Sequence, residues 1–85
     1  MNIELRHLHY FIVVAEELNF RRAAARLNIA QPPLTRQIQQ LEEELGVELF
    51  HRTTRQINLT QAGQVYLQEA RRVLALVQEG IAMAR

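Results

Sequence analysis

The apolar positions of this chain recur three and four residues apart over most of its length, and this spacing predicts helices. The first helix is expected over residues 4–18, with an apolar stripe wide enough to be buried on much of its circumference. The second helix is short, about 20–28, and Ala23 and Ala24 give it an inner face that lets a neighbouring helix come close. Asn19 is a suitable N-cap for this second helix.

A third helix is expected from about Gln31 to Gly46. Proline is accepted in a first helical turn, where its missing N–H breaks no bond, and glycine often ends a helix. The apolar stripe of this helix consists of Leu34, Ile38, Leu41 and Leu45. The side chains opposite the stripe are polar, and Glu42–Glu44 form an acidic end that is expected to point away from any bound polyanion.

Residues 47–59 are too short and broken for a helix, and they are predicted to form two strands, 49–52 and 56–59, around a turn at 53–55. A fourth helix follows the N-cap Thr60 and continues to near the end of the chain. About 25 helical residues extend roughly 37 Å, which is longer than so small a core can cover. Part of the apolar stripe is therefore expected to pack against a second chain. The expected dimer residues are Tyr66, Ala70, Val73, Leu74, Val77 and Ile81.

The distribution of charged residues along the chain adds information about function that the apolar pattern does not give. The 85 residues suffice for one small domain, and their net charge of +1 says little. All basic residues are arginine and all acids are glutamate, yet the segments 18–41 and 49–68 contain arginine and no acid. Two such segments in a nearly neutral chain favour a surface that binds a polyanion. Ordinary solvated helix faces would give the same charges, so composition alone does not separate the two interpretations.

The residue types that the chain lacks exclude several function classes. Cysteine, aspartate and serine are absent, which removes disulfides, thiolate metal sites and the usual nucleophiles. His7 and His9 lie two residues apart on a helix and face different sides, which is poor geometry for a metal. We therefore predict no enzyme, no metal and no cofactor. No apolar run is long enough for a signal peptide or a membrane span, so a cytoplasmic protein without membrane contact is expected.

The second and third helices, with a tight turn between them, match the helix-turn-helix arrangement. In that arrangement the N-terminal part of the second helix of the motif enters the major groove of DNA. The residues present there can read base edges, because arginine pairs with guanine, glutamine pairs with adenine and a threonine methyl touches thymine. The expected base contacts are Gln31, Pro32, Pro33, Thr35 and Arg36.

Basic and polar residues around this helix supply the expected contacts to the DNA backbone or the minor groove. These residues are Arg21, Arg22, Gln40, Arg52 and Arg55. The last two lie in the hairpin, which would act as a wing. Two alternatives stay open, since Arg52 can also pair with an acid inside the fold, and Arg26 with an acid such as Glu16. A module for protein interaction alone is a further alternative, but it leaves the polar face of the third helix unexplained.

Several ordered motifs resemble the LysR-type transcriptional regulators over essentially the whole chain. They are Leu5-Arg6-His7-Leu8 with Tyr10-Phe11, Asn19-Phe20 with Ala23-Ala24, the segment from Ala30 to Ile38, Leu41-Glu42 with Leu45-Gly46, Leu49-Phe50-His51-Arg52, and Leu59-Thr60-Gln61-Ala62-Gly63. The resemblance implies a winged helix-turn-helix followed by a linker helix, with two linker helices packed antiparallel in a dimer. It maps the recognition residues onto Gln31, Pro32, Pro33, Thr35 and Arg36, with Arg55 in the wing.

The resemblance has three further implications. Ala30 stands where many members have serine, which is expected to remove a side-chain helix cap and a phosphate contact. The Ala-Gln-Pro-Pro sequence at 30–33 is similar to the branch that controls degradation of aromatic compounds such as benzoate or chlorocatechol. Full-length members carry a larger C-terminal domain that binds a small effector, so an effector is expected to act only through that domain, which is absent from this chain.

These observations predict a mainly α-helical fold with a small β-hairpin wing. Residues 1–59 would form a winged helix-turn-helix domain, and residues 60–85 a long C-terminal dimerisation helix. A homodimer would bind an inverted repeat in double-stranded DNA, with a recognition helix at about 32–45 in the major groove and a wing at about 49–59 in the minor groove. Transcriptional activation is the expected outcome, with repression open as the alternative.

Overall fold

The computed structural model describes residues 2–85 and contains four helices and one two-stranded antiparallel sheet. The order of elements is the predicted one, and their ends differ from the predicted ends by only one or two residues. The elements are α1 Leu5–Glu17, α2 Phe20–Leu27, α3 Gln31–Leu45, β1 Phe50–Arg52, β2 Ile57–Leu59 and α4 Gln61–Ala84.

The helix boundaries follow from the capping residues that the sequence places there. The side chain of Asn19 accepts a hydrogen bond of 2.9 Å from the first turn of α2, as predicted. Asn28 and Gly46 end α2 and α3 with positive φ angles of 58° and 73°. The Thr60 hydroxyl caps α4 by accepting from the backbone N–H of Gly63 at 2.9 Å. The chain therefore turns sharply between helices and keeps them packed together.

Helix α1 lies at the centre and packs against each of the other three helices. Its Phe11 side chain is fully buried, and the Phe11 ring lies 5.5 Å from the rings of both Phe50 and Tyr66, measured between centroids. The buried apolar residues form one cluster, which contains Leu8, Phe11, Ile12, Val13, Val14, Ala15, Ala23, Ala24, Leu34, Ile38, Leu41, Leu49, Phe50 and Ala70. The prediction that α1 is buried on much of its circumference is thus confirmed.

The hairpin is shorter than predicted, because each strand has three residues and its register pairs Phe50 with Leu59 and Arg52 with Ile57. Its turn contains no glycine. The Thr53 hydroxyl instead donates to the carbonyl of Gln56 at 3.1 Å and accepts from the Gln56 N–H at 3.1 Å. This side chain reinforces the backbone hydrogen bond from the Thr53 N–H to the Gln56 carbonyl at 2.9 Å, which closes the turn without an Asn-Gly pair.

The first half of α4 belongs to the same core as α1 to α3. A Cβ atom at Gly63 would collide with the carbonyl oxygen of Leu49 and lie 2.9 Å from a methyl carbon of Leu59. Glycine is therefore what lets the start of α4 touch the hairpin. Beyond Leu74 every side chain of α4 except that of Val77 is exposed. Residues 60–85 thus divide into a half that packs on this chain and a half that projects from it.

Candidate nucleic-acid interface

The polar face of α3 is open to solvent, as the sequence predicted. Leu34 and Ile38 on the opposite side are fully buried, so the orientation of the helix is fixed by the core. The predicted base-contacting side chains lie on the other side, with Pro33 and Thr35 partly covered and the rest exposed. Arg36 forms no ion pair with any acid of residues 2–85. Its guanidinium is consequently free to bind a partner.

The N-terminal turn of α3 differs from what the family resemblance implied. Ala30 occupies the N-cap position, and no side chain caps this helix end. An N-cap side chain accepts from the backbone N–H of the second or third helical residue, and these residues are Pro32 and Pro33, which have none. A serine at position 30 would therefore find no donor to cap. The side-chain cap is thus missing, as expected, but the two prolines and not Ala30 alone are the cause.

The basic residues of α2 fall into two groups. Arg21 and Arg22 are exposed and form no ion pair within residues 2–85. Arg26 instead lies 2.6 Å from Glu16 and 3.2 Å from Glu17, which confirms the alternative left open for it. The hydrogen bond from Arg26 lowers the pKa of the Glu16 carboxyl, and Arg71 of α4 adds to the effect. Arg26 is therefore part of the fold rather than a free cation.

The two arginines of the hairpin also differ. Arg52 lies 3.2 Å from a carboxylate oxygen of Glu42, and its guanidinium carbon lies 5.2 Å from the centroid of the Phe20 ring. The alternative of an internal acid partner is confirmed for this residue. The side chain of Arg55 is exposed in the turn and forms no ion pair within residues 2–85.

Glu42 is a structural residue that the sequence analysis misplaced. We expected it to point away with Glu43 and Glu44, but its carboxylate turns toward the hairpin and accepts hydrogen bonds from the backbone N–H groups of Leu49 and Phe50. Its position beside Leu41 and Leu45 on the buried stripe was the available signal. A glutamate on the edge of a buried stripe is placed to satisfy backbone donors of the neighbouring segment.

The structure gathers only some of the predicted backbone contacts. A polar cleft between the start of α2 and the hairpin turn is lined by residues that include Arg21, Gln31 and Arg55. Gln40 lies elsewhere, in a cleft that it shares with Glu43 and Glu44. Since these carboxylates repel phosphate, the cleft with the arginines is the better place for a polyanion.

The predicted dimer residues of α4 also separate into two groups. Ala70 is 1% exposed, and Tyr66 and Leu74 pack against the core of this chain, so these three offer little surface to a partner. Val73 and Ile81 are each 40% exposed, and Val77 is partly exposed. The expected dimer residues did not include a second exposed apolar group on α4, which consists of Val65, Leu76 and Met83. The helix carries two apolar stripes, which the sequence pattern merged into one.

Within residues 2–85, no helix is long and apolar enough to cross a membrane. The same residues contain no group of three or more histidine and acidic side chains that could hold a metal ion.

Comparison with known proteins identifies relatives over the whole chain. A family model described as bacterial regulatory helix-turn-helix protein, lysR family, matches residues 5–64. The uncharacterised transcriptional regulator YnfL of Escherichia coli is 57% identical over 84 residues, which cover 99% of this chain and 28% of YnfL. The regulator ClcR of Pseudomonas putida is 60% identical over 72 residues, or 85% of this chain and 24% of ClcR. The chain therefore spans less than a third of these relatives.

A solved structure with the same fold contains DNA. The crystal structure of the BenM DNA-binding domain with catB site 1 DNA superimposes with a TM-score of 0.92 at 49% sequence identity. The superposition covers 96% of this chain and 91% of that chain.

Proposed function

This chain belongs to the lysR family of bacterial regulatory helix-turn-helix proteins, and we propose that it provides sequence-specific binding to double-stranded DNA in a transcriptional regulator. The observation that carries the proposal is the solvent-exposed polar face of α3, whose guanidinium at Arg36 is unpaired within residues 2–85. Free arginines at Arg21, Arg22 and Arg55 flank this face. An exposed helix face of this composition beside free cations fits the major groove of DNA.

In the proposed complex the first half of α3 reads base edges. Arg36 would donate two hydrogen bonds to a guanine, and Gln31 would pair with an adenine or a neighbouring phosphate. The methyl group of Thr35 and the rings of Pro32 and Pro33 would contact thymine methyls. Because the two prolines remove backbone donors, the N-terminal turn of α3 has little capacity to hold a phosphate and is suited to apolar base contacts.

Phosphate binding falls instead to α2 and to the hairpin. Arg21 and Arg22 would neutralise phosphates beside the major groove. Arg55 would enter the adjacent minor groove from the tip of the wing. Gln40 would contact the backbone only at the edge of the interface, because Glu43 and Glu44 lie beside it.

The proposed binding unit is a homodimer formed through α4. Its projecting half carries exposed apolar side chains, with Leu76 at 67% and Met83 at 85% exposure, and a second copy would cover them. Two copies related by a twofold axis would present two α3 helices to an inverted repeat. Action on a bacterial operator implies a cytoplasmic protein. Effector binding is proposed for the part of such regulators that lies outside this chain.

The salt dependence of duplex binding tests this function. For the intact chain we expect the logarithm of the association constant to fall linearly with the logarithm of salt concentration, with a slope near −0.9 for each neutralised phosphate. Arg72→Ala is the matched control, because Arg72 lies on α4 and pairs with Glu69, so its loss should leave the slope unchanged. Binding that is absent at low salt, or indifferent to salt, would favour a module for protein interaction alone.

A further inference from the structure

One carboxylate of the recognition helix bonds to the short hairpin, which the buried Phe50 also ties to the core. Glu42 of α3 accepts hydrogen bonds from the backbone N–H of Leu49 at 2.7 Å and of Phe50 at 3.3 Å through one oxygen. Its other oxygen accepts from the guanidinium of Arg52 at 3.2 Å. The Glu42 side chain is only 13% exposed, so its two bonds to the backbone are partly shielded from water, whereas its bond to Arg52 lies nearer the surface. The start of β1 is thereby fixed relative to α3.

The Arg52 side chain is 34% exposed, and its place in the strand directs its guanidinium toward Glu42 and Phe20. Side chains alternate between the two faces of a strand, so Arg52 shares a face with the buried Phe50. The Arg52 guanidinium lies over the ring of Phe20, which in turn contacts Phe50 edge-on at a centroid distance of 6.2 Å. One side chain therefore bridges α3 and α2 across the hairpin.

The hairpin needs such an anchor. Two strands of three residues are too short to hold a fixed direction by their own hydrogen bonds. Arg55 lies in the turn just beyond Arg52, so a change in the direction of β1 displaces Arg55 from the cleft that it shares with Arg21. The pair of Glu42 and Arg52 therefore controls where the free guanidinium of Arg55 is presented.

We propose that Arg52 does not contact DNA but is a positioning residue, which together with Glu42 aims the wing arginine Arg55 at the minor groove. The proposal rests on the proposed DNA-binding function. It assigns the two hairpin arginines different roles, although both belong to one basic segment of the sequence. It also explains why the acidic end of α3 contains one glutamate that is turned inward.

A double-mutant cycle on the intact chain tests the proposal. The variants are Arg52→Met, Arg55→Ala and the double variant, and the probe is a fluorescein-labelled duplex that carries the site selected from a random library. We expect each single variant to weaken binding about five- to fiftyfold, as for loss of one groove contact. In the Arg55→Ala background, Arg52→Met should change the dissociation constant less than about twofold, because its effect acts through Arg55.

A conservative variant separates positioning from charge. Arg52→Gln keeps a donor for Glu42 and loses the positive charge, so it should restore most of the binding that Arg52→Met loses. If Arg52→Met does not fold, as judged by thermal unfolding, Glu42→Gln replaces it, since it removes the ion pair and keeps one acceptor oxygen. Its effect should likewise vanish in the Arg55→Ala background.

The outcomes distinguish this proposal from the function on which it rests. Suppose that the losses of affinity from Arg52→Met and Arg55→Ala multiply in the double variant, and that Arg52→Gln reduces the magnitude of the salt slope by about 0.9. Arg52 is then a direct phosphate contact and the proposal is overturned. If the unmodified chain shows no salt-dependent binding to the duplex, the DNA-binding function itself is wrong.

Discussion

A guanidinium nitrogen of Arg26 lies 2.6 Å from a carboxylate oxygen of Glu16, and this ion pair joins the last turn of α2 to α1. Arg71 of α4 reaches the same carboxylate at 3.1 Å, so Glu16 links three helices. Arg26 therefore differs from Arg21 and Arg22, which stand on the same short helix without an acid partner in residues 2–85. The three arginines look alike in the sequence but have different surroundings.

This difference predicts different effects on DNA binding. Arg21→Ala should reduce the magnitude of the salt slope by about 0.9, because one phosphate contact is lost. Arg26→Ala should leave the slope unchanged, since its charge is already compensated by Glu16 and Glu17. Titration of a labelled duplex at several salt concentrations measures both slopes. Equal losses for the two variants would mean that Arg26 leaves Glu16 and binds phosphate in the complex.

Gly63 is predicted to be intolerant of a methyl group. A Cβ atom there would strike the backbone carbonyl of Leu49, which cannot move without displacing β1, so Gly63→Ala should lower the free energy of unfolding by about 1–3 kcal/mol. Gly80→Ala is the matched control, because a Cβ at Gly80 meets open space in this chain. That change should raise helix stability by about 0.5–1 kcal/mol. Urea denaturation measures the free energy of unfolding of both variants. An unchanged free energy of unfolding for Gly63→Ala would contradict this expectation.

The missing cap of α3 should not be restored by serine. Ala30→Ser is expected to change the free energy of unfolding by less than about 0.5 kcal/mol, because Pro32 and Pro33 offer no N–H to the hydroxyl. Asn19→Ala provides the comparison, since Asn19 does cap α2, and it should cost about 1 kcal/mol. A gain of about 1 kcal/mol from Ala30→Ser, measured by thermal unfolding, would show that the helix starts at a different residue.

Self-association should depend on the projecting half of α4. Leu76→Glu places a charge on a side chain that is 67% exposed in the single chain, so the fold should survive while dimerisation weakens at least tenfold. Gln78→Glu adds the same charge on the opposite side of the helix and should leave the dimer intact. Sedimentation equilibrium measures both. A Leu76→Glu variant that remains dimeric would exclude this stripe from the interface. Removing the whole of α4 by truncation before Thr60 would not test the dimer, because it would also remove Ala70 from the core.

Much of the fold follows from local signals in the sequence. The spacing of Leu34, Ile38 and Leu41 fixes the buried side of α3 and hence its polar side, and Asn19 and Gly46 mark helix ends through their own conformational preferences. Such signals act over a few residues, so they can be read without knowledge of the tertiary structure.

The partners of individual charged groups could not be predicted in the same way. Arg52 and Glu42 are ten residues apart in the sequence, and whether they form an ion pair depends on how the hairpin packs against α3. The role of Ala70 depends on which of the two apolar stripes of α4 packs against α1. Periodicity places both stripes on one helix, but only packing assigns one to the core and leaves the other exposed.

Selection of bound sites from random duplexes, with the intact chain and with Arg36→Ala, tests most directly whether the polar face of α3 reads base pairs. We predict an inverted repeat for the intact chain and, for Arg36→Ala, loss of preference at one position of each half-site with a cost of about 1–3 kcal/mol on the selected duplex. If Arg36→Ala weakened binding to all duplexes equally and kept every base preference, Arg36 would contact phosphate. If the intact chain enriched no sequence at all, base recognition by this face would be contradicted.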